Sequence, residues 1–216
     1  MLQEELNRIL NGASGERRAS AFLARNPEIV RWAFCWTGGH STYVVKEFPF
    51  GSRYRADLVV PLSYSGAWEV HMIELEPPND SVINKDGTPS QRLNKAMSQI
   101  QDWREYIERN PDSIRKDLSD WCVKHDRLRL YDDHDPPCNE TGDYLSHPDT
   151  YIVYEYHIVI GMRESVSREK RRKMNQYSGS MDIDICTYGR FLDIARNFDR
   201  HYANPRRRLW LTKRKE

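Results

Sequence analysis

Arg55-Ala56-Asp57-Leu58-Val59-Val60 and His71-Met72-Ile73-Glu74-Leu75-Glu76 decide how this chain is read. Both segments carry the alternation of β-strands, in which successive side chains point to opposite faces of a sheet. In Tyr54–Val60 that alternation puts Ala56, Leu58 and Val60 on an apolar side and leaves Arg55 and Asp57 on the other. In Trp68–Glu76, Ile73 and Leu75 are core-like, so Glu74 and Glu76 share the opposite side. If Leu62 pairs with Glu69 across the loop Ser63–Trp68, the register places Asp57 opposite Glu74. Acids directly opposed on neighbouring strands repel one another. A divalent cation between them removes the penalty, and carboxylates with water are what Mg²⁺ and Mn²⁺ prefer as ligands.

Beyond these strands, Pro77-Pro78 ends the second one, because proline cannot donate to a sheet ladder. Thr88-Pro89-Ser90-Gln91 reads as a capping box with proline in the first helical position. Leu93, Met97, Ile100 and Ile107 then recur at helical spacing, with Lys95, Gln99, Trp103 and Tyr106 as an adjoining stripe, until Asn110-Pro111 closes the helix. Upstream, residues 2–10 and 15–35 are helix-like, the second capped by Ser14, carrying Glu16 in its first turn and interrupted at Asn26-Pro27. An acid there fits the helix dipole as well as it fits a metal site. Thr42–Phe48 reads as the first core strand, completing an antiparallel meander.

Downstream, residues 111–150 read as a loop-rich insertion after helical character through Trp121. Cys122, His125, His134 and Cys138 within it have the ligand types of a zinc site, though their spacing matches no zinc module. Tyr151–Ile160 is the strongest strand, its apolar end buried on both faces. A basic helix over Ser165–Gln176, a strand over Asp182–Cys186 and a helix over Tyr188–Tyr202 follow. Strand, helix, strand, helix implies parallel pairing. The expected fold is therefore α/β: a mixed sheet with an antiparallel meander plus parallel strands, flanked by helices, in a single domain over 1–216.

The order Asp57, Ile73-Glu74-Leu75-Glu76, then Gln99-Ile100-Gln101-Asp102-Trp103 resembles the PD-(D/E)XK, or restriction-endonuclease-like, nuclease superfamily. More closely, the chain is similar to its Shedu branch, associated with bacterial defence against phage. Ile73-Glu74-Leu75-Glu76-Pro77-Pro78, the turn Lys85-Asp86-Gly87-Thr88-Pro89-Ser90 and Ala96-Met97-Ser98-Gln99-Ile100-Gln101-Asp102-Trp103 carry that likeness. Ile158–Arg163 and Ile185–Tyr188 extend it. The resemblance implies a Mg²⁺- or Mn²⁺-dependent endonuclease or nickase, with Asp57, Glu74, the Leu75 carbonyl and sometimes Glu16 as metal ligands and Gln99 orienting a water, a ligand or the phosphate. The superfamily's lysine is replaced by Glu76. Three readings follow: Glu76 ligates a metal or acts as base, Lys95 supplies the missing charge from the helix, or the site is dead and serves binding.

With 33 Lys and Arg against 32 Asp and Glu, the net charge of +1 gives no global pull on nucleic acid, so DNA contact has to come from local patches. Arg53 and Arg55 beside the acids, Lys170-Arg171-Arg172-Lys173, and the basic tail 204–216 with Arg206–Arg208 and Lys213–Lys215 are the candidates. Trp210 in that tail reads as an apolar anchor. Phosphate contacts of this kind position a duplex without reading its sequence. No apolar run approaches the roughly 18 residues of a membrane span. The acidic start and four scattered cysteines fit a cytoplasmic protein, and the resemblance implies a homo-oligomer. The alternatives to an enzyme are an inactive nucleic-acid-binding module on the same fold and an assembly subunit that meets a protein partner.

Overall fold

The computed structural model describes residues 1–12, 15–35, 41–64, 66–124, 129–130 and 136–202. Ser14, His125, His134 and the basic tail with Trp210 lie outside the described residues. Three helices open the chain: α1 (Leu2–Leu10), α2 (Gly15–Arg25) and α3 (Pro27–Phe34). Asn26 is the N-cap of α3 and Pro27 its first residue, so the predicted interruption divides two helices. The strands are β1 (Thr42–Tyr43), β2 (Val45–Phe50), β3 (Tyr54–Tyr64) and β4 (Ala67–Leu75). Next come α4 (Gln91–Arg109), α5 (Pro111–Lys124), β5 (Arg129–Leu130), β6 (Ile152–Val159), α6 (Arg168–Met181), β7 (Asp184–Cys186) and α7 (Gly189–Tyr202).

The sheet runs β5-β1-β3-β4-β6-β7, with β2 lying along β3 beyond β1. β3 and β4 are antiparallel, and the pairs run from Tyr64–Ala67 through Leu62–Glu69 to Leu58–Ile73, the register expected from the alternation. β6 joins β4 in parallel and β7 joins β6 in parallel, completing the mixed sheet. Each face is covered. Leu58, Val60, Leu62, Ile73 and Leu75 pack with α1, α2, α3 and α7. Val59, Val70, Met72, Ile158 and Ile160 pack with Leu93, Met97, Ile100 and Trp103 of α4 and with Ile114 and Leu118 of α5. Burial on both sides explains why β3 reads as a continuous apolar run from Leu58 to Leu62.

Four sequence expectations need correction. The pleat is interrupted where Glu47 faces Asp57: Val45 and Phe48 share one core although they are three residues apart, as do Ala56 and Val59. Ala56 therefore packs on the α4 side, away from Leu58 and Val60. Glu47 adopts φ +52°, a left-handed conformation uncommon for a residue with a Cβ, and this is what turns the strand. The expected first strand divides into β1 and β2 at Val44. Trp103 is fully buried and belongs to the apolar face of α4 instead of the polar stripe. The α4 cap is Ser90, whose Oγ accepts from the Leu93 N–H at 3.2 Å, while Pro89 bridges Ile83 in extended conformation. Thr88 Oγ1 is engaged with Asp86 in the preceding turn.

One buried polar chain escaped the sequence reading. His71 Nδ1 lies 2.9 Å from His157 Nε2, His157 Nδ1 lies 3.1 Å from Asp184 Oδ2, and Arg190 of α7 holds Asp184 with both terminal nitrogens. This line ties β4, β6, β7 and α7 together within the helical face that α3 also covers, where Phe34 packs on the His157 ring. All four cysteines are buried and none forms a disulfide.

Ser90→Ala should cost about 1 kcal/mol of stability in urea unfolding, the usual value of an N-cap. Thr88→Ala should stay within about 0.5 kcal/mol, as surface substitutions do. The reverse order would restore the capping box to Thr88.

Candidate active site

The β3–β4 ladder ends at Leu58–Ile73, so Asp57 and Glu74 are the next opposed pair. There the backbones stop pairing with each other. Instead, the Leu75 N–H donates to Asp57 Oδ2 at 2.8 Å, which puts the Asp57 carboxylate in the place of a ladder carbonyl. The N–H and C=O of one strand residue face the same neighbour. The Leu75 carbonyl thus also faces the β3 side, past the last ladder pair. On the other flank β4 stays bonded to β6, and the Glu76 N–H donates to the Val159 carbonyl at 2.8 Å. That bond carries the strand geometry one residue further and holds Glu76 nearly buried, at 6% exposure.

Glu74 is pinned from the α4 side. Gln99 hydrogen-bonds its carboxylate, yet Glu74 Oε2 is buried with no partner. Burial, then the neighbouring Asp57 and Glu76 carboxylates, push Glu74 up to about 9 despite the Gln99 bond. Burial also raises Asp57 to about 6 against the pull of the Leu75 N–H, with Glu16 and Glu47 adding to the rise. Glu76 rises to about 7 through burial, which outweighs the attraction of Arg92. Glu16, at the start of α2, is raised by burial and sits close enough to repel the other three. Four acids from α2, β3, β4 and the residue after β4 thus share one field.

Two glycines make that convergence sterically feasible. A Cβ on Gly15 would come within 2.7 Å of Pro78 Cγ, so only glycine lets the start of α2 close on the segment after Glu76. Gly161, at φ +68°, lies against the same segment, where a Cβ would stand 2.9 Å from the Asp80 carbonyl oxygen.

The structure brings Asp57, Glu74, Glu76, Gln99 and Glu16 together. Lys95 lies exposed on α4 and acts on Glu76 at longer range than Arg92 does. Arg92 is the residue sequence reading missed. Its Nη1 is 4.0 Å from Glu76 Oε2 and its Nε is 3.4 Å from Asp80 Oδ2. Its position three residues before Lys95 and seven before Gln99, on one helical face, was the available signal. Arg53 and Arg55 are exposed at the start of β3, Arg53 resting over the Tyr54 ring. Lys170, Arg171, Arg172 and Lys173 lie in the first turns of α6, and Lys170 Nζ reaches Ser81 Oγ at 3.4 Å, beside the segment that carries Asp80.

Among the described residues no three His, Cys, Asp or Glu side chains already form a metal-holding cluster. The donor set still fits a hard divalent cation: two strand carboxylates, one with a partnerless buried oxygen, and a carbonyl outside the ladder. A groove of about 980 Å³ between α1, α2 and α7 contains none of these acids in its lining. Among the described residues no helix is long and apolar enough to cross a membrane.

Four acids thus gather at the end of a mixed sheet beside a glutamine-bearing helix. The chain belongs to the Shedu family: it matches the family described as "Shedu protein SduA, C-terminal" over residues 13–192. No curated protein matches it. Among solved structures it is similar to the restriction endonuclease FokI bound to DNA, at a TM-score of 0.42 and 10% identity, over 92% of this chain and 27% of that one. The chain thus spans about a quarter of FokI's length.

The raised carboxyl pKa values give a signed pH dependence. A glutamate moved from its ordinary 4.5 to about 9 adds stability that is complete below 4.5 and lost as pH rises through 9. In EDTA, the melting temperature should fall across that window, and Glu74→Gln should flatten the fall and melt roughly 2–5 °C higher at pH 8. A Glu74→Gln protein that melts lower than wild type at pH 8 would contradict this electrostatic account.

Proposed function

We propose that this protein is a metal-dependent DNA endonuclease or nickase that hydrolyses phosphodiester bonds in bacterial defence against phage. The observation that carries the reading is the pair Asp57 and Glu74, forced together at the ladder end with a buried, partnerless Glu74 oxygen. Family membership supports it.

Asp57, Glu74 and the Leu75 carbonyl would hold Mg²⁺ or Mn²⁺, with Glu16 completing the set on the α2 side. Bound there, the cation supplies Lewis acidity, charge neutralisation and a lowered pKa for bound water. The remaining work falls to the chain. Gln99 fixes the orientation of Glu74 through its hydrogen bond, so the carboxylate presents the same oxygen in every turnover. Glu76, two residues on and nearly buried, takes a proton from the attacking water. The water oxygen forms its bond to phosphorus as the bond to the sugar oxygen breaks, and that leaving oxygen takes its proton from solvent. Lys95 adds positive charge to the approach of the phosphate. Arg53, Arg55 and Lys170–Lys173 contact flanking phosphates, which orients DNA without base specificity. The homo-oligomer and cytoplasmic setting implied by the resemblance belong to the same proposal.

Supercoiled plasmid incubated with the protein in Mg²⁺, Mn²⁺ or EDTA provides the check. Nicked or linear product should form with either metal and vanish in EDTA. Asp57→Ala and Glu74→Ala should each lower the rate by roughly 1,000-fold or more, and Gln99→Ala by roughly 10- to 100-fold, in keeping with the loss of charge-stabilising and orienting groups. Retarded DNA without any product, in wild type as in Glu74→Ala, supports the binding module instead.

A further inference from the structure

If every carboxylate of Asp57, Glu74, Glu76 and Glu16 were ionised, one divalent cation would leave the site with two uncompensated negative charges. A phosphodiester, itself an anion, gains charge on its non-bridging oxygens as water attacks. Such a site needs a fixed cation facing the same space. Among the described residues Arg92 is placed for this. Its Nε faces Asp80 Oδ2 at 3.4 Å, and this orients the guanidinium so that Nη1 faces Glu76 at 4.0 Å. Asp80 is tied to its segment by its N–H, which donates to the Pro77 carbonyl at 3.3 Å, the carbonyl to which the Gly161 N–H also donates at 3.3 Å. The 4.0 Å spacing is longer than a hydrogen bond, so the terminal fork is steered towards the acids without being consumed by them. The side chain is also half-exposed, at 53%, and so open to an incoming ligand.

We propose that Arg92 is a catalytic residue, contacting the non-bridging oxygens of the scissile phosphate and supplying the positive charge that Glu76 cannot. This rests on the nuclease reading above and names one of its working parts. A guanidinium offers parallel N–H donors that match phosphate oxygens, and it stays charged at every working pH. It transfers no proton: the bond changes remain those of hydrolysis, and Arg92 contributes hydrogen bonds that strengthen as charge builds. Asp80 is then a positioning residue. Lys95, one turn along α4, contributes field at a distance.

Plasmid nicking by Arg92→Gln, Arg92→Lys and Arg92→Ala, measured over a Mn²⁺ series up to saturation with thermal melts as a folding control, tests the assignment. Arg92→Gln should lose roughly 100- to 1,000-fold in kcat, with an unchanged Mn²⁺ requirement and an unchanged melt. Arg92→Lys should recover part of the rate, and added guanidinium should rescue Arg92→Ala where tetramethylammonium does not. A wild-type rate in Arg92→Gln overturns the proposal. So does a loss that disappears on raising Mn²⁺, which would make Arg92 a support for metal binding only. Wild-type protein that cuts nothing with either metal sinks the nuclease reading instead. The affinity of wild type and Arg92→Gln for a short DNA duplex then decides Arg92 by itself: weaker binding upholds its phosphate contact, equal binding overturns it.

Discussion

Two carboxylates facing each other where a ladder ends is the constraint on which the rest of this protein depends. The register that pairs Leu58 with Ile73 leaves Asp57 and Glu74 as the next partners, both largely withdrawn from solvent and both beside further acids. Like charges at that spacing destabilise a bare sheet by raising both groups towards their neutral forms. Hydrogen bonds from three neighbouring groups hold this end of the sheet in shape. The Leu75 N–H is given to Asp57, Gln99 is given to Glu74, and the Glu76 N–H stays with β6. Burial beside like-charged neighbours is the means by which active sites shift carboxyl pKa values.

The fold holds this strained end in place by burying everything behind it. Both faces of β3 and β4 are covered along their middle, by α1, α2, α3 and α7 on one side and by α4 and α5 on the other. Slippage by a single residue would send every side chain of the strand to the other core and unmake the packing of both. The His71–His157–Asp184 line adds a polar tie across three strands, in a place where hydrogen-bonding groups need partners. The acids themselves lie at the rim, where the closely packed Pro77–Val82 segment meets α2 on one flank and Gly161 on the other.

Much of this was legible in the sequence because it follows from periodicity. The Leu62–Glu69 pairing, the opposition of Asp57 and Glu74, the Gln99 helix and the parallel strands β6 and β7 all come from alternation, helical spacing and connection order. What was illegible depends on conformations that no pattern encodes. Glu47 turning to φ +52° moves Ala56 to the other core, and alternation has no means of announcing that. Pro89 in an extended bridge passes the cap to Ser90, although both sites carry a capping residue type. Arg92 was overlooked because its meaning comes from Asp80 and Glu76, which a loop of unpredictable path brings to it. The histidine pair is likewise a product of tertiary register: residues 86 apart in sequence meet only after β6 has docked on β4.

As the proposed cation site, Asp57 and Glu74 must give up their protons when the cation arrives. Calorimetric titration of Mn²⁺ into metal-free protein at pH 7, repeated in buffers of different ionisation enthalpy, measures this directly. Binding should release about one proton per ion, chiefly from Glu74, and both the binding and the release should disappear in Asp57→Asn and Glu74→Gln. Saturable binding with no proton release, or binding indifferent to those two substitutions, would contradict the account.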